Sequence, residues 1–426
     1  MNVFFDIVGC RLNQSEVEHL ANIFRSLGHQ IVSQPADADL AIINSCAVTV
    51  KAAADSRKKL RRAAREGAKK VVATGCWATL YPQQAENLEG VSEVFSNEEK
   101  DHIPFDLLGL SYDILNELKL VRDPLPGERG RTRAFIKVQE GCDNTCTYCI
   151  TRLARGKSRS RNLDIIQRDF AAALDGGAKE IVLTGVQLGG WGRDLPEQLN
   201  LVHLIESLLL EGGFSRLRLS SIEPWDFNLD MLTLWSDTRL CRHLHIPLQS
   251  GTDQVLHRMG RPITRDMYIE LIEAIRKRVP EIAITTDVIV GFPGETDEDF
   301  KASRKLIQEI GFAGGHVFTY SPRPGTAAFK MKDQVSNRIA KERNAILRDD
   351  FRRLGMAFQK RFIGTVQDVL WESSEIQPDG TFRLAGLTDT YIRVFAKAEC
   401  DLWNRISKVE LVSSYSQRNG VAGMIQ

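Results

Sequence analysis

Residues 141–149 read GCDNTCTYC, three cysteines in the spacing C-x3-C-x2-C with a tyrosine directly before the last. Thiolates select zinc or iron–sulfur clusters. A closed zinc site takes four ligands, usually as two spaced pairs, and no second pair stands near Cys142, Cys146 and Cys149. A four-iron cubane held by three thiolates leaves one iron open to a substrate or cofactor. The bland alternative is a loop whose cysteines only hold structure, in a zinc or RNA-binding protein without catalysis.

The run before the loop, AFIKVQEG at 134–141, has strand character, so the cysteines begin where a strand ends. Five more runs of that kind follow: EIVLTGVQL (180–188), RLRLSSIEP (216–224), HLHIPLQSG (243–251), AITTDVIVGF (283–292) and GGHVFTYSP (314–322). Helical patterns such as LDIIQRDFAAALDGG and TRDMYIELIEAIRKRV lie between them. Six βα units predict a (βα)6 part-barrel, in which the active site lies at the carboxyl ends of the strands.

Upstream, NVFFDIVG, DLAIINS and KKVVATG alternate with amphipathic helices, one of them over about 50–66, as an open parallel α/β sheet requires. Cys10, Cys46 and Cys76 each come just past one of these strands. In a parallel sheet all three thiols emerge at one edge, where open α/β sheets bind ligands. We read them as ligands of a second open-iron cluster, and Cys241 and Cys400 as core residues. Residues 101–131 have little pattern and read as a linker. A charged helix is expected over about 336–362. Beyond it, GTVQDVLWE, TFRLAGLT, YIRVFA and SKVELVSS belong to an expected small five-stranded β-barrel, a module that often binds nucleic acid. The chain is thus expected to be a multidomain α/β protein divided at 1–125, 126–360 and 361–426.

With 43% hydrophobic and 26% charged residues the chain is ordinary for a globular protein, and a net charge of +1 provides no long-range pull on nucleic acid. The amino terminus lacks a secretory pattern and no run approaches a membrane span, so a cytoplasmic protein with no membrane partner is expected. Eight cysteines are too few for a disulfide scaffold. Basic character is local. RGKSRSR at 155–161 sets Arg155, Lys157, Arg159 and Arg161 on one side of an extended segment, as phosphate contacts beside the active site would need. RKKLRRAAREGAKK (57–70) reads as a solvated helix face. In the tail, Phe382, Tyr391 and Arg393 offer stacking and phosphate contact, or core packing for the aromatics.

Taken together, GCRLNQSE (9–16), NSCAVT (44–49), GCDNTCTYCI, RGKSRSR, LTGVQLG, RLSSIEP, HIPLQSG, DVIVGFPGET and HVFTYSPRPGT (316–326) resemble the radical-S-adenosylmethionine methylthiotransferase family over nearly the whole chain. The tail resembles the RNA-binding TRAM module of those enzymes. The resemblance implies two [4Fe-4S] clusters, S-adenosylmethionine as radical source and methyl donor, a tRNA anticodon stem-loop as substrate and an electron-donor protein. Oligomeric state is left open, with a monomer the simplest expectation. By the same resemblance Tyr148 lies against the adenine of S-adenosylmethionine, Thr184 and Gly185 meet its amine, Glu223, Gln249, Ser250 and Gly251 line its ribose and carboxylate, and Gly291 lies near the adenine. Of the three branches, one acts on isopentenyladenosine, one on threonylcarbamoyladenosine and one on a ribosomal-protein aspartate. GCRLNQSE is most similar to the threonylcarbamoyladenosine branch.

Overall fold

Strand β3 (Leu40–Ser45) is buried along its whole length, as the centre of a parallel sheet covered on both faces demands. It pairs in parallel with β1 (Asn2–Ile7) and β4 (Lys70–Gly75); β2 (Gln30–Val32) and β5 (Glu93–Val94) complete the order β2-β1-β3-β4-β5. The two outer strands carry only three and two residues, which is why the sequence pattern passes over them. Helices Arg11–Ser26 and Val50–Arg65 flank the sheet, the second capped by the Thr49 side chain. The computed structural model describes residues 1–123, 132–197, 199–415 and 419–426.

The chain forms two compact units, the first of residues 1–144, 149–199 and 323–325, the second of 145–148, 200–322 and 326–426. The first also holds β6 (Arg133–Lys137) paired in parallel with β9 (Glu180–Thr184), the short antiparallel pair β7 (Gln139–Glu140) and β8 (Arg159–Ser160), and helix Leu163–Asp175. The linker expected over 101–131 is ordered over 101–123: Ile103–Leu108 is helical, and Leu115 and Leu120 bury with Ile23 and Phe105. Two leucines with an apolar face to cover override a weak local pattern. The 125/126 boundary lies outside the described residues.

In the second unit, β10 (Arg216–Leu219) leads to β11 (His243–His245), which pairs with β12 (Ala283–Val290), which pairs with β13 (Gly314–Thr319), all in parallel. The bridges Leu217↔Leu240 and Ser221↔His245 join the first two stretches. All six strands foreseen after residue 132 are present. One crossover departs from the βα pattern: between β10 and β11 the chain makes the 3-10 turns Pro224–Asp226 and Leu229–Ser236, because Pro224 and the short polar residues around it do not extend an α-helix. Helix Asn337–Lys360 carries the chain into a closed barrel, β14 (Val366–Ile376), β15 (Phe382–Leu387), β16 (Arg393–Ala398), β17 (Ile406–Tyr415) and β18 (Gly420–Ile425), in the order β14-β15-β16-β18-β17. Trp371, Leu384, Val394, Val409 and Val421 fill it. The last strand, GVAGMI, has two glycines in six residues and too little β-propensity to stand out in the sequence. Arg216 donates to the carbonyls of Leu387 and Asp368, and Arg218 to that of Asp389, so the barrel is tied to β10 through backbone acceptors. Among the described residues no helix is long and apolar enough to cross a membrane.

Candidate active site

Strands β1, β3 and β4 are neighbours, and Cys10, Cys46 and Cys76 follow their carboxyl ends. The backbone there is crowded. A Cβ on Gly9 (φ +117°) would lie 2.9 Å from the Cys46 sulfur, and one on Gly75 (φ +91°) would lie 2.3 Å from Asn44 Oδ1, so both positions require glycine. Burial pushes the Cys46 thiol up to about 11, with Cys76 and Cys10 adding to the rise. Burial likewise raises Cys10, although part of it reaches solvent, while Arg155 opposes the shift. The three sulfurs therefore feel one another and one buried cation. Cys10 and Cys46, held up in this way, need a positive centre to ionise, which a metal cluster provides.

Arg155 is that cation. It donates to Glu16 Oε1 at 2.7 Å, Glu140 Oε1 at 2.8 Å and Asn13 Oδ1 at 2.7 Å. Glu16 also accepts from Lys100 Nζ at 2.6 Å, and Lys100 donates to Asn97 Oδ1 at 2.7 Å. The Asn97 amide reaches the Cys76 sulfur at 3.8 Å and the Ala154 carbonyl at 2.6 Å, while Cys10 Sγ donates to Asn13 Oδ1 at 3.6 Å. Burial alone would raise Glu16, but Arg155 and Lys100 hold it well below the usual carboxylate range. The network links Cys10 and Cys76 to the segment that follows Cys149. Sequence reading placed Arg155 on a phosphate; its 2% exposed side chain and three anionic or amide acceptors assign it to the interior. The available signal was Asn13, Gln14 and Glu16 within the first two turns of a helix whose body is buried.

The 141–149 loop starts at Gly141, whose φ is +70° and whose added Cβ would meet the Lys157 carbonyl at 1.8 Å. Gln139 Nε2 donates to the carbonyls of Glu140 and Gly141 and to Ser158 Oγ, and Gln187 Oε1 accepts from the Asp143 amide at 3.1 Å. Two glutamines outside the motif thus brace it, and no spacing rule signals them. In the second unit, the Thr147 amide donates to the Met259 carbonyl at 2.9 Å. Cys142 and Cys146 are half-buried and Cys149 is exposed. Among the described residues no group of three or more His, Cys, Asp or Glu is arranged to hold a single metal ion.

Tyr148 packs among Val255, Met259, Ile289 and Phe292, with its ring edge-on to Phe292 at 6.4 Å. Arg261 donates to Glu223 Oε2 at 2.8 Å, to the Pro247 carbonyl at 2.7 Å and to the Tyr148 hydroxyl at 3.4 Å, and lies 4.6 Å over the Trp225 ring. Burial opposes its charge, but Glu223, Tyr148 and Cys146 more than restore it. The sequence reading missed Arg261, which stands outside the quoted motifs. Gln249 adopts φ +67°, and its Oε1 is buried without a partner. A non-glycine residue in that conformation stores strain. By contrast the amide of Gly251 donates to Ser303 Oγ at 2.9 Å and that of Gly291 to Glu295 Oε2 at 2.6 Å. Ser250 lies 3.5 Å from Ser303, and Gly291 packs against Ala340. In the first unit Thr184 is buried, its carbonyl accepting from Val138, and Gly185 lies against Gln139.

A model of the radical SAM superfamily matches residues 136–307, and one of the uncharacterized protein family UPF0004 matches 2–96. The threonylcarbamoyladenosine tRNA methylthiotransferase MtaB of Thermotoga maritima is 39% identical over 388 residues, 87% of this chain and 86% of that protein. The MtaB of Bacillus subtilis is 33% identical, covering 97% and 94%. The chain belongs to the radical-SAM methylthiotransferase family. The tRNA-2-methylthio-N(6)-dimethylallyladenosine synthase of Pelotomaculum thermopropionicum, at 32% identity over 88% and 87%, lies in the same group. Among solved structures, the radical S-adenosylmethionine methyltransferase TsrM of Kitasatospora setae aligns with a TM-score of 0.55 at 14% identity, covering 77% and 76%, a likeness of fold.

A methylthiotransferase of this kind uses S-adenosylmethionine and [4Fe-4S] clusters. The donor sets fit both: two groups of three thiols, an apolar nest around Tyr148 and an orphaned buried acceptor on Gln249. The residues expected on RNA divide. Lys157 is exposed and Arg159 pairs at the surface with Glu98 at 3.3 Å, whereas Arg161 is held inside by Asp169 at 2.6 Å. Only Arg159–Ser160 is extended, so the four charges do not share one side. Phe382 packs against the barrel core, Arg393 is exposed, and Tyr391 stacks on His243 at 4.8 Å with Arg218 over its ring. Cys241 is buried as read, but Cys400 is exposed, at the turn after β16, where no core covers it. The basic run at 57–70 is a solvated face, with Lys59, Arg62, Lys69 and Lys70 paired to nearby acids.

Proposed function

We propose that the protein inserts a methylthio group at C2 of N6-threonylcarbamoyladenosine beside the tRNA anticodon, at position 37. The observation that carries the chemistry is the pair of three-cysteine sets in one chain, Cys142, Cys146 and Cys149 on a loop after β6 and β7, and Cys10, Cys46 and Cys76 at the ends of three adjacent strands. The substrate reading is supported by the relatives named MtaB, at up to 39% identity against 32% for the dimethylallyladenosine synthase.

When bound, the first cluster and S-adenosylmethionine supply a radical able to take hydrogen from an unactivated C–H, and the second cluster supplies sulfur. The chain's own contribution is placement. Tyr148 offers a face to the adenine, Glu223 is fixed by Arg261, and Gln249 keeps an acceptor open. Arg155 and Glu16 hold the Cys10 and Cys76 segments against the segment after Cys149. Lys157, Arg159 and Arg393 give exposed charge for phosphate, and an electron-donor protein is the remaining partner. The functional division runs 1–125, 126–360 and 361–426.

The test is turnover in vitro. Reconstituted protein, S-adenosylmethionine and reductant should convert threonylcarbamoyladenosine in tRNA to its methylthio form, read by mass spectrometry. Conversion of isopentenyladenosine instead would replace the substrate reading.

A further inference from the structure

On the parallel strands β11, β12 and β13 the paired residues His245↔Thr285, Asp287↔His316 and Ile289↔Phe318 share one face. Parallel sheets are normally covered on both faces. Here the opposite side of β12, with Ile284, Thr286, Val288 and Val290, is buried, while on the shared face His316 is exposed and Phe318 is 44% exposed. That face is polar and connected. His243 Nε2 and His245 Nδ1 lie 3.2 and 3.0 Å from Thr285 Oγ1, His245 Nε2 is 3.3 Å from Asp287 Oδ2, and the His245 and His316 rings are 6.4 Å apart. Asp287 Oδ1 is buried without a partner. A buried acceptor left unpaired is costly, so its retention calls for a donor brought by a ligand.

We infer that Asp287, His245 and His316 form the recognition site for the N6 substituent of the substrate nucleoside, a urea joined to a hydroxy acid. The inference rests on the proposed function and names the residues that read its substrate. A urea N–H or the hydroxyl meets Asp287 Oδ1, the carboxylate meets His316, and Phe318 gives an aromatic surface beside them. An isopentenyl group has no donor. It would leave Asp287 covered and unpaired, and sites built to hydrogen-bond a substrate discriminate strongly against analogues lacking the partner.

The experiment measures binding without turnover, by fluorescence anisotropy of anticodon stem-loops carrying threonylcarbamoyladenosine, isopentenyladenosine or adenosine, on full-length protein with its clusters reconstituted and no reductant. Wild type should prefer the threonylcarbamoyl loop by at least about tenfold. Asp287→Ala and His316→Phe should each remove most of that preference and leave the adenosine loop bound as before, which also reports an intact fold; His316 is exposed and its replacement disturbs no core. If both variants keep the wild-type preference, or lose all three loops in equal measure, the inference is overturned while the substrate reading stands. If wild type itself shows no preference, or prefers the isopentenyl loop, the substrate reading fails and the inference with it.

Discussion

Cys142→Ala protein is expected to lose reductive cleavage of S-adenosylmethionine by well over about 100-fold, a larger effect than an outer-shell change around a metal produces. Cys142 is one of three thiols on a loop that has no fourth cysteine to substitute, and Gly141, Gln139 and Gln187 fix the backbone on either side of it. Removing a ligand leaves the loop folded but unable to hold its cluster. Cys10, Cys46 and Cys76 are untouched, so iron content should fall by roughly half and the brown absorption should persist. The measurement is 5′-deoxyadenosine formed after addition of reductant, with iron assayed on the same sample. Retained cleavage would show that the 141–149 loop does not hold the radical cluster.

Arg155→Met should destabilise the protein by about 3 kcal/mol, the low end of the cost of breaking a buried ion pair, since Glu16 keeps Lys100 and Glu140 keeps Lys137. Glu16 is fully buried, and its other cation, Lys100, is shared with Asn97. The loss of Arg155 also frees Asn13 beside Cys10 and one oxygen of Glu140. A double variant, Arg155→Met with Glu16→Gln, should lose less than the sum of the two single losses, because Glu16 answers to both Arg155 and Lys100. Denaturant midpoints of wild type, both singles and the double give the coupling. Additive losses would mean that the pair acts as two independent packing residues. Arg155→Lys keeps a charge but not the planar fork, so it should fall between wild type and Arg155→Met.

The elements legible in the sequence were those set by strong local signals. The continuous apolar run LAIINS and the alternation of VVATG with a helix fixed β3 and β4, and with them the positions of Cys46 and Cys76. The C-x3-C-x2-C spacing needs no tertiary information. What stayed hidden depends on contacts far apart in the chain. Arg155 reads as one of four basic residues in a run, and only the meeting of Glu16, 139 positions away, makes it an interior ion. Arg261, Gln139 and Gln187 hold site residues through hydrogen bonds that no periodicity encodes. Nor does the sequence show that an added Cβ at Gly251 would meet Ser303 and one at Gly291 would meet Ala340. Edge strands of two or three residues, and a barrel strand rich in glycine, fall below what propensity can detect.

The most direct test of the methylthiotransferase function is mass spectrometry of tRNA nucleosides from host cells with and without the gene. The methylthio form of threonylcarbamoyladenosine should disappear in the deletion, its unmodified parent should accumulate, and wild-type but not Cys142→Ala or Cys46→Ala protein should restore it. An unchanged level of that nucleoside would mean that the protein does not modify threonylcarbamoyladenosine.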